Sequence, residues 1–415
     1  MHRSARTVRR ASAWGLALAA ALVACESADP GDAGVAREDA ALDAAIAAPD
    51  AGAPPEDFDG FVAWHMARGG IPGAAIAIVT PDAVVRAGGY GFADLETERR
   101  VDAHTLFVMA SVSKPFAAVR ALQLVEEGRL ELDAPAGDAL GYTLEHPSYA
   151  GRAVTTRMLL AHVAGVEDDF AALGEVTYTE DPPISLDEFT RRYALPDGAL
   201  YAASHWGAAP GNARSYANAG FGIVGAILEA AGGEDLRVQS ERAIFAPLAL
   251  DGAGWFLADV DATRLATPYG FNGRRFSPLP QNGFAFYPAS SLRISATGLA
   301  RFAQMILRGG ELDGARVLAS EQVDELLRIQ YPRVASGQAL AFSRRRLAGR
   351  DFIGHSGATF GGSNQLLIAT EGTHALLILT NADAYVRERI IPTLTEGSEA
   401  IDAILARMDE EARAP

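Results

Sequence analysis

Apolar residues recur along this chain with two different periods, and the switches between them outline a fold. From Asp57 to Arg68 they place Phe58, Phe61, Val62 and His65 on one face of a helix. Gly73 to Val79 and Ala83 to Gly91 are short apolar runs separated by Thr80-Pro81-Asp82, which reads as a hairpin. Three more runs of strand type lie near the other end: Phe352 to Ser356, Asn364 to Ala369 and His374 to Thr380, with Glu371-Gly372 turning between the last two. A final helix starts near Ser398, where Ile401, Ile404, Leu405 and Met408 form a single apolar stripe.

The middle of the chain is mostly helical. Val112 to Glu127 is a strong helix ended by Gly128, Thr156 to His162 a short one, and Tyr216 to Ala231 a third that stops at Gly232-Gly233. Residues 297 to 308 repeat the type, with Leu299, Phe302, Ala303 and Ile306 on one side. The simplest assembly is an α/β (α+β) fold. An antiparallel sheet of about five strands is built from both chain ends, flanked by helices, with a mainly helical insertion between. The folded domain is expected over residues 58–410, its sheet part at about 58–108 and 290–410 and its helical part at about 109–289.

The first 57 residues follow neither period. Residues 1 to 10 carry four arginines and no acid, and Ala13 to Ala24 is an apolar run that ends directly on Cys25. This is the layout of an export signal, too short to span a bilayer as a stable helix. Leu22-Val23-Ala24-Cys25 resembles the lipobox of bacterial lipoproteins, which implies that residues 1–24 are removed and that Cys25 becomes a lipidated first residue. Residues 26 to 57 hold nine acids against Arg37 alone, and the rest is mostly Ala, Gly and Pro. Such a stretch cannot repay the entropy of ordering, so residues 25–57 read as a flexible acidic tether. The expected location is the outer side of a bacterial membrane, on the periplasmic face of the outer membrane or at the cell surface, with a lipid anchor as the membrane contact.

Composition narrows the function. The 415 residues are 49% hydrophobic, with ordinary Gly and Pro loads, so a globular domain is affordable. A formal charge of −16 argues against a phosphate-binding surface, and no nucleic-acid partner is expected. One cysteine excludes an intramolecular disulfide and every multi-cysteine metal site. Of the 36 basic residues other than histidine, Lys114 is the only lysine. Only an amine can lose its proton near neutral pH, so a chain that otherwise uses arginine has a chemical reason to keep one lysine.

That lysine stands in Ser111-Val112-Ser113-Lys114, at the start of the long helix. Ser111 and Lys114 are three residues apart and share a face. Free backbone N–H groups at a helix start favour developing negative charge. A desolvated lysine there should have a lowered pKa and could accept the serine proton. Pro115 cannot donate to the carbonyl of Ser111, so the first turn must be loose or tightened.

Two further motifs follow in order: Tyr216-Ala217-Asn218, just after Pro210-Gly211, and His355-Ser356-Gly357 on a predicted strand. Ser-x-x-Lys, Tyr-x-Asn and His-x-Gly together resemble the serine hydrolases related to class C β-lactamases and the D-alanyl-D-alanine carboxypeptidases. Ile71-Pro72-Gly73, Leu124 to Asp133, and Leu159-Leu160 with His162 and Gly165 fit as well. The resemblance covers about residues 57 to 410 and implies a β-lactamase/transpeptidase-like fold. It implies Ser111 as the acylated nucleophile, Lys114 and Tyr216 sharing proton transfer, and Asn218 bonding Lys114 and a substrate amide. The oxyanion is expected between the backbone N–H groups of Ser111 and Ala358, just past Gly357. His355 stands where the lactamase pattern has lysine; it is expected to donate to substrate or to Tyr216 and to hold a carboxylate less strongly than a lysine would.

Other candidates carry less. Gly354-His355-Ser356-Gly357-Ala358 lacks the final glycine of a nucleophile elbow, so Ser356 is not the expected nucleophile. No His-Glu-x-x-His is present, and no metal or cofactor is expected. His162 reads as a buried hydrogen-bonding residue and His104 as structural, while Trp206 could line a cleft or belong to the core. The resulting expectation is a monomeric esterase or D-peptidase/carboxypeptidase acting on a small-molecule or peptidoglycan-like ester, D-amino-acid peptide or β-lactam. The alternatives are a penicillin-binding receptor or cell-wall-binding lipoprotein with slow or no turnover, or a true class C-like β-lactamase.

Overall fold

A computed structural model describes residues 52–390 and 395–414 of the chain; the expected export segment, Cys25 and most of the expected tether lie outside them. Helix α1 spans Phe58–Arg68, capped by the Asp57 carboxylate, which accepts from the Gly60 N–H at 2.8 Å. It buries Phe58, Val62 and Met66, while Phe61 and His65, expected on the same face, pair their rings at its margin.

The first hairpin is β1, Gly73–Val79, and β2, Val84–Asp94, with β3, Arg99–Arg100, at its outer edge. Ala110–Ser113 forms a 3-10 turn that leads into helix α2, Lys114–Glu126, and helix α3 covers Asn218–Gly232. Helix α4, Ala296–Leu307, precedes four strands: β4, Ser343–Leu347; β5, Arg350–Thr359; β6, Gly362–Ala369; and β7, Ala375–Thr380. Helix α5, Glu396–Ala412, follows.

The seven strands form one antiparallel sheet in the order β4-β5-β6-β7-β1-β2-β3. Five of them are the expected runs, and the short edge strands β3 and β4 complete the sheet. Its closure joins the two chain ends, with Ala74 opposite Thr380 and Val79 opposite Ala375.

Every residue of β1, β6 and β7 is buried, which explains why β1, β7 and the second half of β6 read as continuous apolar runs rather than alternating ones. Ile76, Ile78, Leu376 and Ile378 face α1 and the Ile401, Ile404, Leu405 and Met408 stripe of α5. Ala75, Ala77, Leu377 and Leu379 face Leu299, Phe302 and Ala303 of α4 and continue into the core of the helical half. Helix α2 runs through that core, buried from Lys114 to Leu124, with Phe116 stacked on Phe302 at 3.9 Å. An element buried on all sides is a rigid base for chemistry at its first turn.

Candidate active site

The 3-10 turn at the head of α2 answers the problem set by Pro115. Because that residue has no N–H, the Lys114 N–H donates to the Ser111 carbonyl instead, one residue earlier than in an α-helix. The regular helix therefore begins at Lys114 rather than at Val112 as the periodicity predicts. Ala110, just before Ser111, is held at φ +49°, a left-handed conformation that costs a non-glycine residue about 1–2 kcal/mol. Surrounding backbone imposes it. Phe107–Val108 pairs with Arg293–Ile294, the Met109 N–H donates to the Leu292 carbonyl at 2.8 Å, and the Leu292 N–H donates to Ser113 Oγ at 3.0 Å. The second serine of the motif is thus a buried brace, and half-buried Ser111 is the one presented.

Strand β5 lies directly against this turn. A Cβ on Gly357 would stand 2.2 Å from the Met109 carbonyl oxygen, so only glycine lets the strand approach so closely. Asn364 of β6 secures the same contact, its Nδ2 donating to the Val108 carbonyl at 2.9 Å. The turn and strand bring Ser111, His355, Gly357 and Ala358 into one neighbourhood from positions some 245 residues apart.

Lys114 is fully buried and makes three hydrogen bonds from Nζ: to Ser111 Oγ at 3.0 Å, Asn218 Oδ1 at 2.8 Å and the Ala289 carbonyl at 2.9 Å. Burial pulls its pKa down to about 7, partly opposed by the negative charge of Asp168. The partners fix what deprotonation does. Asn218 Oδ1 and the Ala289 carbonyl can only accept, so a neutral amine keeps its two protons on them and turns its lone pair to Ser111, the one partner with a proton to give.

Ala217 is extended, and α3 starts at Asn218, two residues later than the periodicity suggests. The cause is Asp168, whose carboxylate accepts from the backbone N–H groups of Asn218 and Ala219, each at 2.9 Å. Half-buried Tyr216 is positioned by His162, as expected of a buried hydrogen-bonding residue. The His162 carbonyl accepts from the Ser215 N–H at 2.9 Å, its Nδ1 accepts from the Ala217 N–H at 3.2 Å, and its ring lies 4.3 Å from that of Tyr216. The Tyr216 ring centroid is 4.8 Å from Lys114 Nζ and 6.1 Å from the His355 ring.

His355 departs from expectation. Its Nδ1 donates to the Ser356 carbonyl at 2.7 Å, so in the neutral ring Nε2 is an acceptor, not the donor predicted for substrate or Tyr216. Burial, reinforced by the charge of Lys114, pushes its pKa down to about 3, so the ring carries no charge near neutrality. Ser356 points to the other side of β5, where its hydroxyl donates to Gln365 Oε1 at 3.2 Å. Trp206 belongs to the core, 6% exposed, with its indole N–H on the Ala194 carbonyl.

Sequence reasoning missed two participants. Asp168 gave no signal beyond being the middle of three consecutive acids, and Ala289 contributes a carbonyl, which no residue type announces.

A family profile described as "Beta-lactamase" matches residues 58–394. Among curated proteins, protein flp of Staphylococcus aureus (strain COL) is 28% identical over 178 residues, 42% of this chain and 33% of its own length. The match therefore spans about a third of that relative. Penicillin-binding protein 4 of Amycolatopsis lactamdurans is 27% identical over 340 residues, 79% of this chain and 84% of its own length. Two solved structures share the fold. A D-amino acid amidase from Ochrobactrum anthropi SV3 is 20% identical with a TM-score of 0.66, covering 86% of this chain and 98% of that one. The octameric penicillin-binding protein homologue from Pyrococcus abyssi is 22% identical with a TM-score of 0.63, covering 81% and 77%.

Proposed function

Since the chain belongs to the beta-lactamase family of serine hydrolases, we propose that it hydrolyses an ester or a D-amino-acid peptide through an acyl-enzyme on Ser111. The observation that carries this reading is the buried amine of Lys114, 3.0 Å from Ser111 Oγ and titrating near pH 7. Ser111 Oγ attacks the carbonyl carbon while its proton passes to Lys114 Nζ. The oxyanion is received by the backbone N–H groups of Ser111 and Ala358. Tyr216, beside Lys114, hands its proton to the leaving group as the carbonyl re-forms and takes back the serine proton from the Lys114 ammonium, and Asn218 steadies both Lys114 and the substrate amide. Water then releases the acyl group as an acid. Intact-mass spectrometry over time, with an activated ester, a D-alanyl peptide and a penicillin, tests the reading. A transient adduct with the mass of the acyl portion supports it. A permanent adduct points to a receptor that does not turn over, and no adduct with any donor refutes the acyl-enzyme.

His355 sets the preference among these donors. An uncharged ring offering an acceptor nitrogen gives no attraction to the carboxylate of a penicillin. The best ester or D-peptide is expected to exceed penicillins by at least about tenfold in kcat/KM, a transition-state difference of about 1.4 kcal/mol. A penicillin value equal to the best ester or peptide would overturn this ranking.

The amino-terminal sequence supports a location at the cell envelope: Cys25 would be lipidated and residues 26–57 would act as a spacer. Cys25→Ala is expected to move the protein from the membrane fraction to the soluble one. Membrane retention equal to wild type would refute the anchor.

A further inference from the structure

Glu167, Asp168 and Asp169 are adjacent, yet each has a separate task. Glu167 accepts from the Ser215 hydroxyl, and Asp169 caps the helix Phe170–Glu175 through the Ala171 and Ala172 N–H groups. Asp168 alone reaches Asn218. Its Oδ2 accepts from the Asn218 backbone N–H at 2.9 Å and from Asn218 Nδ2 at 2.8 Å, and its Oδ1 accepts from the Ala219 N–H at 2.9 Å.

A carboxylate only accepts, so the NH2 end of the Asn218 amide must face Asp168 and the oxygen end must face Lys114. Without that constraint the amide could rotate and present its NH2 group to the amine, replacing an attraction with a clash of donors. We propose that Asp168 is a positioning residue for proton transfer, holding Asn218 so that its carbonyl oxygen fixes the Lys114 amine against Ser111. This rests on Lys114 acting as the proton acceptor from Ser111. The carboxylate also bears on the charge of the amine. Asp168 opposes the burial that lowers the Lys114 pKa, while Tyr216, His162 and His355 pack around the same site and Arg214 adds positive charge to it.

The competing role is structural: Asp168 as the cap of α3 and nothing more. A cap alone would change the melting temperature and, through its charge, lower the Lys114 midpoint, but that shift frees more base and would not slow acylation above the midpoint. The chain's single lysine makes this measurable, because the full protein labelled with isotopic lysine gives one side-chain resonance by NMR. Asp168→Asn removes the charge and lets the amide of Asn218 turn. Its lysine midpoint is expected to fall by about half a pH unit or more below wild type. The acylation rate, followed by intact mass, is expected to drop about tenfold or more. In an Asn218→Ala background the same change should add almost nothing to the loss of rate, since the two act as one unit.

A folded D168N with a lowered melting temperature but an undiminished acylation rate above its lysine midpoint, or with losses that add to those of N218A, overturns the proposal, as does an unchanged lysine midpoint. If D168N does not fold, Asp168→Ser keeps an oxygen acceptor on a smaller frame and is read by the same two measurements. Should the wild-type protein acylate with no donor, the proposed function fails by itself. The lysine titration then still decides whether Asp168 sets the state of the amine.

Discussion

Ser111→Ala is expected to eliminate covalent labelling, with acylation falling by roughly 10⁴-fold or more, the scale on which removal of a nucleophile is felt in serine hydrolases. The change deletes one half-buried hydroxyl, so the fold should survive. The Lys114 amine keeps Asn218 Oδ1 and the Ala289 carbonyl as partners. Loss of the single bond to Ser111 Oγ should cost about 1 kcal/mol of stability. Circular dichroism and melting temperature check the fold; intact mass after exposure to an acylating agent checks the chemistry. The neighbouring hydroxyls are poor substitutes. Ser113 is fully buried and holds the Leu292 N–H, and Ser356 lies on the opposite side of β5, bonded to Gln365. Adduct formation on either residue in the folded variant would overturn the assignment of the nucleophile.

What the sequence disclosed follows the range of the forces involved. Strands β1 and β7, and β6 from Leu366 onward, were legible because they are buried on both sides and carry unbroken apolar runs. The stripe of α5 was legible for the complementary reason: one face is buried and the other solvated. Edge strands β3 and β4 were not, since Arg99–Arg100 and the arginines of Ser343–Leu347 are placed by backbone pairing rather than by apolar side chains. Both helix starts were read two residues early. Apolar periodicity records which face is buried, whereas the start depends on how the first N–H groups are satisfied. A missing N–H at Pro115 delayed one helix, and a carboxylate 50 residues away, at Asp168, set the other.

Within the site the same division holds. Ser111, Lys114, Tyr216 and Asn218 were legible because their side chains have distinctive chemistry at fixed local spacing. The Ala289 carbonyl and the Asp168 carboxylate enter only through tertiary contacts. His355 was legible as part of its motif but its tautomer was not, because that is decided by the backbone carbonyl of its own neighbour, Ser356.

Lys114→Arg separates charge from proton handling. The bland role for a buried lysine is electrostatic, and arginine would then restore most of the activity in a chain that uses arginine elsewhere. The surroundings argue otherwise. Nζ is fully buried and contacts three acceptors within 3.0 Å, a compact arrangement for three donors on one atom that a planar guanidinium cannot copy. Burial also holds the amine near pKa 7, so roughly half of it is unprotonated at neutral pH, whereas arginine remains charged throughout. Acylation by K114R is therefore expected to fall at least about 10²-fold, close to the loss in Lys114→Ala. The pH profile sharpens the test. Below the lysine midpoint the free-base fraction rises about tenfold per pH unit, so the wild-type rate should climb with pH and level off above about 7. That ascending limb should vanish in both variants, whatever rate remains. A folded K114R that keeps more than about a third of the wild-type rate, or that retains the limb, would transfer proton acceptance from Lys114 to Tyr216 and leave the lysine as its counter-charge.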